Sequence, residues 1–368
     1  MIVGGDKQAV IDNIQRNFAL GEMNRKVEIN DPKITDRDAR LSLVERHLAY
    51  TRTWRYTAKN WAARTIVHAL ADLLNWRTKY VGLEKVRSIR SGAIVTSNHF
   101  SPLENMTVTA AMRHSGHRRT YIISQDTNFA MPGFLGFFLK YYDTIPITKS
   151  HVYLSRQFPA IIDQLLSRGR FVLIYPEEEM WFNYRRPRPE KHGAFDFAAR
   201  AGVPIVPCFV EMRDKKSADN EQFMKTRTII HILDPIYPDP ELSVQENSSF
   251  MRAQDYREKV EAYERIYGKS VDAPLSAEDI AGWREPLKSA EQLGLDAELD
   301  SAFDLETRSS AVEALARKEE KKAARQARWK RFTSRRSSQN APDYQSAESS
   351  AELSSAEETD SEHPDFSE

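Results

Sequence analysis

Between about residues 90 and 240, short apolar and β-branched runs alternate with segments of helical period. The runs fall at 93–97, 121–124, 171–175, 205–210 and 228–233. Several are apolar throughout rather than alternating, which is the pattern of strands covered on both faces. Between two of them, Phe158, Ile161, Ile162, Leu165 and Leu166 share one helical face, and Gly169 follows as a natural C-cap. Strand–helix alternation of this kind predicts an α/β fold: a mostly parallel central sheet flanked by helices. In such sheets ligands bind beyond the carboxyl ends of the strands, so chemistry is sought there.

Ahead of this core, residues 38–80 read as one or two helices. Trp54, Ala58, Trp61, Thr65, Ile66, Leu70 and Leu73 form an apolar stripe, edged by Arg52, Arg55, Lys59, Arg64, Arg77 and Lys79, with Asp72 the sole acid from 52 to 79. Two readings stand, a helix packed on its own domain and a helix lying at a membrane surface. Residues 250–270 predict a further helix that closes the fold, and residues 272–312 are acidic and carry no pattern. Residues 316–336 then hold ten Lys/Arg against two Glu, whereas 337–368 hold nine acids, nine serines and no Lys or Arg. The basic stretch is expected to be helical, as a solvated helix or a contact with anionic lipid. The acidic one has too few apolar groups to offset ordering entropy and is expected to be a disordered C-terminal tail. The expected organisation is therefore an N-terminal amphipathic helical segment (1–80), an α/β domain (81–270), an acidic-then-basic extension (271–336) and the tail (337–368).

Composition narrows the function. In 368 residues Lys+Arg and Asp+Glu are both 53, which argues against a nucleic-acid binder. One cysteine excludes a disulfide framework and any Cys-cluster metal site, and fits a reducing compartment. Apolar residues make up 40% of the chain, enough for a sizeable core, while 29% are charged and the mean hydropathy is −0.59. No apolar run approaches the roughly 20 residues that span a bilayer, and the opening MIVGGDKQAV lacks the basic-then-apolar order of a signal peptide. These features predict a cytoplasmic or peripheral protein without a bound metal or cofactor.

The most suggestive chemistry ends the first core run, at Ser97-Asn98-His99-Phe100-Ser101-Pro102-Leu103-Glu104. A histidine leaving a strand, with a carboxylate five positions on, can form a pair in which the carboxylate fixes the imidazole tautomer and stabilises the imidazolium. Spacing alone is weak, because His363…Glu368 repeats it inside the acidic tail. A second spot follows 171–175, where Pro176, Glu177, Glu178 and Glu179 bring carboxylates to the ligand edge. Arg185, Arg186 and Arg188 come next, with guanidinium groups suited to phosphate. A loop whose charges neutralise one another is the alternative there. Residues 129–139 carry no charge, as a buried helix or an apolar ledge for an acyl chain, and Lys149 is an isolated cation at another strand end. The G-x-S-x-G, G-x-x-x-x-G-K-[ST], G-x-G-x-x-G and H-E-x-x-H motifs are absent. Cys208 lies in an apolar strand with no charge to activate it, as an inert core residue.

In order, these segments resemble the glycerolipid acyltransferase family of the 1-acylglycerol-3-phosphate O-acyltransferase type. Asn98-His99…Glu104 matches its Asn-His-x4-Asp block with Glu for Asp. Ile145-Pro146-Ile147-Thr148-Lys149 matches the second, with Lys for the usual Arg. Tyr175-Pro176-Glu177 opens the third, Phe-Pro-Glu-Gly-Thr-Arg, and then departs at Glu178. Val203-Pro204-Ile205-Val206-Pro207 matches the fourth. The resemblance spans about 80–240. It implies transfer of an acyl group from an acyl-CoA or acyl-carrier-protein thioester to the hydroxyl of a lysophosphatidate-like lipid, with His99 as base and Glu104 as its partner. Asn98, Lys149, Glu177, Arg185 and Arg186 are its candidate acceptor-binding residues. The expected partners are a lipid acceptor, the thioester and an anionic membrane surface on the inner face. Acylation of a non-phosphate lipid or glycolipid, and a catalytically silent lipid-binding relative, are the alternatives.

Overall fold

The computed structural model describes residues 6–29, 34 and 36–295. Three helices open the chain, α1 (Gln8–Ala19), α2 (Arg37–Thr51) and α3 (Trp54–Leu74), followed by β1 (Lys79–Val81) and the short α4 (Glu84–Arg87). The core then runs β2 (Ala93–Ser97), α5 (Glu104–His114), β3 (Thr120–Gln125), α6 (Gly133–Tyr141), β4 (Thr144–Ile147), α7 (Phe158–Ser167) and β5 (Phe171–Ile174). It closes with α8 (Gly193–Ala201), β6 (Ile205–Ala218), β7 (Met224–Ile232) and α9 (Val244–Tyr267). The seven strands lie in the order β1-β7-β6-β2-β5-β3-β4. All neighbours are parallel except the β6–β7 pair, a long hairpin whose outer half is exposed and irregular between Asp214 and Ala218. The mostly parallel, helix-flanked sheet is the one the sequence pattern implies.

The buried central strands divide their side chains between two cores, because successive residues point to opposite faces. Ala93, Val95, Phe171 and Leu173 face α3, α4 and α5 through Val67, Val86, Val108 and Met112. Ile94 and Val172 face α7, α8 and α9 through Ile162, Leu166, Phe195, Ala198 and Met251. The helix expected before Gly169 is α7: Phe158, Ile162 and Leu166 are buried, and Gly169 takes a φ of 69°. The 250–270 helix begins earlier than its apolar pattern, at Val244, because Ser243 and Glu246 form a capping box. Thr96 on β2 donates to Asp255 Oδ1 on α9, and the fully buried Lys259 bridges Asp255 and Glu190 at 2.7 Å each. That network ties α9 to the strand that carries the histidine.

A third core has no counterpart in the sequence pattern. Val10, Ile11 and Ile14 of α1 pack with Trp181, Phe182, Tyr184, Phe223, Ile280 and Trp283. Residues within the acidic 272–312 segment thus belong to the fold, with Ile280 bridging to Tyr184 and Trp283 to Phe223. The basic stretch 316–336 and the acidic tail 337–368 lie outside the described residues.

α3 presents two apolar faces. Tyr56, Asn60, Ala63, Val67 and Ala71 pack inward, while Trp54, Trp61, Ile66 and Leu73 are exposed, as is Trp76 just beyond the helix. Most of the stripe seen in the sequence is therefore the outward face, and Arg52, Arg55, Lys59, Arg77 and Lys79 around it are exposed. No helix among the described residues is long and apolar enough to cross a membrane.

Candidate active site

His99 is the second residue after β2, at the carboxyl edge of the sheet, and Glu104 is the first residue of α5. The turn between them folds back so that His99 Nδ1 and Glu104 Oε1 are hydrogen-bonded. Glu104 Oε2 accepts the backbone N–H of Phe100 and of Ser101, both at 2.6 Å. The additional methylene of Glu is absorbed by this curl: one carboxylate oxygen closes the turn while the other holds the ring. A carboxylate in the first turn of a helix is also favoured by the helix dipole. Glu104 is buried, whereas His99 leaves 21% of its side chain exposed. Its Nε2 has no hydrogen-bond partner among the described residues, the arrangement of a base whose second nitrogen is held and whose first is free.

Glu177, Trp181, Asn183 and Arg188 hold the histidine turn from behind. Glu177 accepts His99 N at 3.2 Å and Arg188 N at 3.0 Å. The guanidinium of Arg188, itself buried, reaches Glu177 Oε2 at 2.8 Å and donates to the carbonyls of Met23, at 2.9 Å, and Glu179. It also lies 4.7 Å from the Trp181 ring centroid. Trp181 N and Asn183 N bond the carbonyls of His99 and Phe100, so the 177–188 loop backs the histidine turn along its length. Glu178 has a φ of 66°, the left-handed region that favours glycine, at the position where the resembled third block carries one.

The other residues singled out in the sequence are placed less directly. Asn98 is buried and spends its side-chain amide on Val210, donating to its O at 3.1 Å and accepting from its N at 2.8 Å. It pins β2 to β6 rather than facing a ligand. The expectation that Arg185 and Arg186 face an acceptor phosphate is corrected by their partners. Arg185 pairs with Asp214 at 2.6 Å and Glu278 O, and Arg186, 1% exposed, is held by both oxygens of Asp279 and three backbone carbonyls. These groups close the third core. Burial pushes the Asp279 carboxyl up, but hydrogen bonds from Arg186, Lys269 and Ser276 N outweigh it and hold the group at about 2. Glu177 is near His99 but buried on Arg188, as a brace. Lys149 follows β4, three strands from β2 on the same edge, or about 14 Å at the usual strand spacing. It is exposed and unpaired among the described residues.

Cys208 is fully buried, and burial pushes its thiol up to about 12, so it stays protonated. Among the described residues no group of three or more His, Cys, Asp or Glu side chains could hold a metal. Sequence reasoning missed Tyr175, whose ring stacks on the His99 imidazole with centroids 4.2 Å apart and planes 13° from parallel. The only available signal was an aromatic ending an all-apolar strand beside Pro176.

No curated protein matches the chain. Among solved structures, the crystal structure of the 1-acyl-sn-glycerophosphate (LPA) acyltransferase PlsC from Thermotoga maritima is similar, with a TM-score of 0.41 and 14% identity. The similarity covers 71% of this chain and 97% of that one. Residues 77–211, which run from just before β1 into β6 and include His99, Glu104 and Glu177, match the family model described as Acyltransferase.

Proposed function

We propose that this protein is an O-acyltransferase that moves an acyl group from a thioester to a lipid hydroxyl, with His99 and Glu104 at its centre. One observation carries the reading. A solvent-reachable imidazole stands at the carboxyl edge of a parallel sheet, with one nitrogen held by a buried carboxylate and the other free. In the reaction His99 Nε2 takes the proton of the acceptor hydroxyl as its oxygen attacks the thioester carbonyl. The new C–O bond forms, the C–S bond breaks, and the proton passes from His99 to the departing thiolate. Glu104 holds Nδ1–H and stabilises the imidazolium formed midway. No acyl-enzyme is required, and the buried, protonated Cys208 offers no nucleophile.

The donor is an acyl-CoA or an acyl carrier protein, and the acceptor a lysophosphatidate-like glycerolipid whose phosphate meets Lys149. A second reading, in which the acceptor carries no phosphate, is favoured by the commitment of Arg185 and Arg186 to Asp214 and Asp279. The exposed Trp54, Trp61, Ile66 and Leu73 with their flanking cations support peripheral docking on an anionic membrane surface at the cytoplasmic face.

The test is thiol release from acyl-CoA and acyl carrier protein across lysophosphatidate, other lysophospholipid and glycolipid acceptors. Release that needs an acceptor supports acyl transfer. Preference for phosphate monoesters, lost selectively in KM on Lys149→Ala, supports the lysophosphatidate form. Absence of release with every acceptor from folded protein overturns the proposal.

A further inference from the structure

The outer halves of β6 and β7 leave the sheet together as a two-stranded ribbon at its carboxyl edge. Ser97 of β2 pairs with Cys208, and the Asn98 side chain bonds Val210, so β6 beyond Glu211 lies past the histidine turn. At the usual rise per residue, Arg213 stands about 10 Å further along the strand direction than His99, one strand over. The two faces of the ribbon differ. On one, Met212 packs with Ala281, while Asp214 accepts Gly282 N at 2.7 Å and pairs with Arg185. On the other, Arg213 is directly opposite Arg227 in the antiparallel ladder, and Lys225 shares the face of Arg227. Lys215 and Lys216 fall in the irregular stretch between Asp214 and Ala218, and all five cations are exposed.

The fold does little to neutralise this face. Arg213 is held by the buried Glu211, which also bonds His231 Nε2 at 2.7 Å. Lys215, Lys216, Lys225 and Arg227 have no ion-pair partner among the described residues. The remaining acids of the ribbon, Asp219 and Glu221, lie at its tip beyond the Ala218–Met224 pair. Like charges directly opposite each other destabilise a ladder, and an anionic surface brought from outside relieves them. A membrane is a poor match, because interfacial elements bury apolar side chains in the lipid, and none of the exposed large apolar residues falls on β6 or β7. A nucleotide is a poor match too, because small-ligand sites are concave with converging polar groups, whereas these cations are spread along an exposed ribbon.

We propose that the basic face of the β6–β7 ribbon docks an acidic carrier protein, making an acyl carrier protein rather than CoA the thioester donor. This deepens the proposed acyl transfer and rests on it. A carrier seated on the ribbon holds its flexible thioester arm at the edge where His99 stands. Charges at the rim of such an interface steer the encounter and make it sensitive to salt.

The test uses the full chain and the double variant Lys225→Glu/Arg227→Glu, whose side chains are exposed and unpaired. Palmitoyl-loaded acyl carrier protein and palmitoyl-CoA are the probes. The variant is expected to bind the loaded carrier about tenfold more weakly, to raise its KM by a similar factor, and to keep KM for palmitoyl-CoA within about twofold of wild type. Lys225→Arg/Arg227→Lys is expected to bind as wild type, and added salt to weaken wild-type binding several-fold. Equal carrier binding by wild type and the charge-reversed variant overturns the proposal, and leaves the cations as guards against edge pairing. So does a wild type that binds no carrier, an equal rise in KM for palmitoyl-CoA, or a variant that loses flotation with anionic vesicles and keeps carrier binding. Carrier binding that depends on Lys225 and Arg227 in a protein that releases no thiol upholds the docking surface and overturns the acyl transfer.

Discussion

Arg188→Met removes the partner of the buried Glu177 and leaves the shape of the side chain largely in place. Both groups are about 1–2% exposed at the side chain, so water cannot replace the lost guanidinium. Breaking a buried pair from one side costs about 3–5 kcal/mol, because the surviving charge is left uncompensated. The orphaned carbonyls of Met23 and Glu179 add to this. In a domain of this size the loss corresponds to a fall in Tm of about 6–10 °C, at about 2 °C per kcal/mol. Adding Glu177→Gln removes the stranded charge while keeping an acceptor for His99 N, so the double variant is expected to recover about half of the loss. Urea denaturation of wild type, both single variants and the double variant gives the coupling directly. A loss below about 1 kcal/mol for Arg188→Met, or a double variant at the sum of the singles, refutes the view that this pair braces the histidine loop.

Other expectations follow from single features. Glu178 occupies the left-handed region with an exposed side chain, so Glu178→Gly is expected to be neutral or to stabilise by up to about 1 kcal/mol, whereas Glu178→Val costs about 1–2 kcal/mol; thermal melts decide, and a clearly destabilising Gly contradicts the strain. Burial, with Lys140 nearby, lowers the His47 imidazole from 6.5 to about 4 where it meets Tyr56 and Phe129. The unfolded chain binds this proton first, so the stability of wild type relative to His47→Leu is full above pH 6.5 and falls by about 2–3 kcal/mol as pH drops to about 4. Denaturation at pH 7.5 and pH 4.5 checks the sign, and equal differences at both refute it. Trp61→Ala, at an exposed position on α3, is expected to cut flotation with anionic vesicles several-fold and leave Tm within about 1 °C; equal recovery of wild type with neutral and anionic vesicles would contradict the electrostatic part of docking.

The parallel sheet was legible because runs such as 171–175 and 205–210 are apolar at every position, a pattern that two covered faces explain. The His99–Glu104 pair was legible because strand, turn and helix follow one another within a few residues. Arg185 and Arg186 were not, because their carboxylates, Asp214 and Asp279, lie 29 and 93 positions away, and local sequence holds no record of such pairings. The third core was hidden for the same reason: α1, Trp181 and Trp283 carry no shared period. Lys149 falls at a sheet edge as expected, but its distance from His99 follows from strand order, which spacing does not give. Tyr175 illustrates a different limit, since an aromatic at a strand end reads as core and only the packing turns its ring toward His99.

In the proposed reaction, proton removal depends on the free nitrogen of His99. Thiol release from an acyl thioester should be compared, with the best acceptor found, in wild type and His99→Ala of matching Tm. A loss of at least about 1,000-fold in kcat with little change in thioester KM is expected. Acceptor-dependent release that persists within about tenfold of wild type in folded His99→Ala would contradict it.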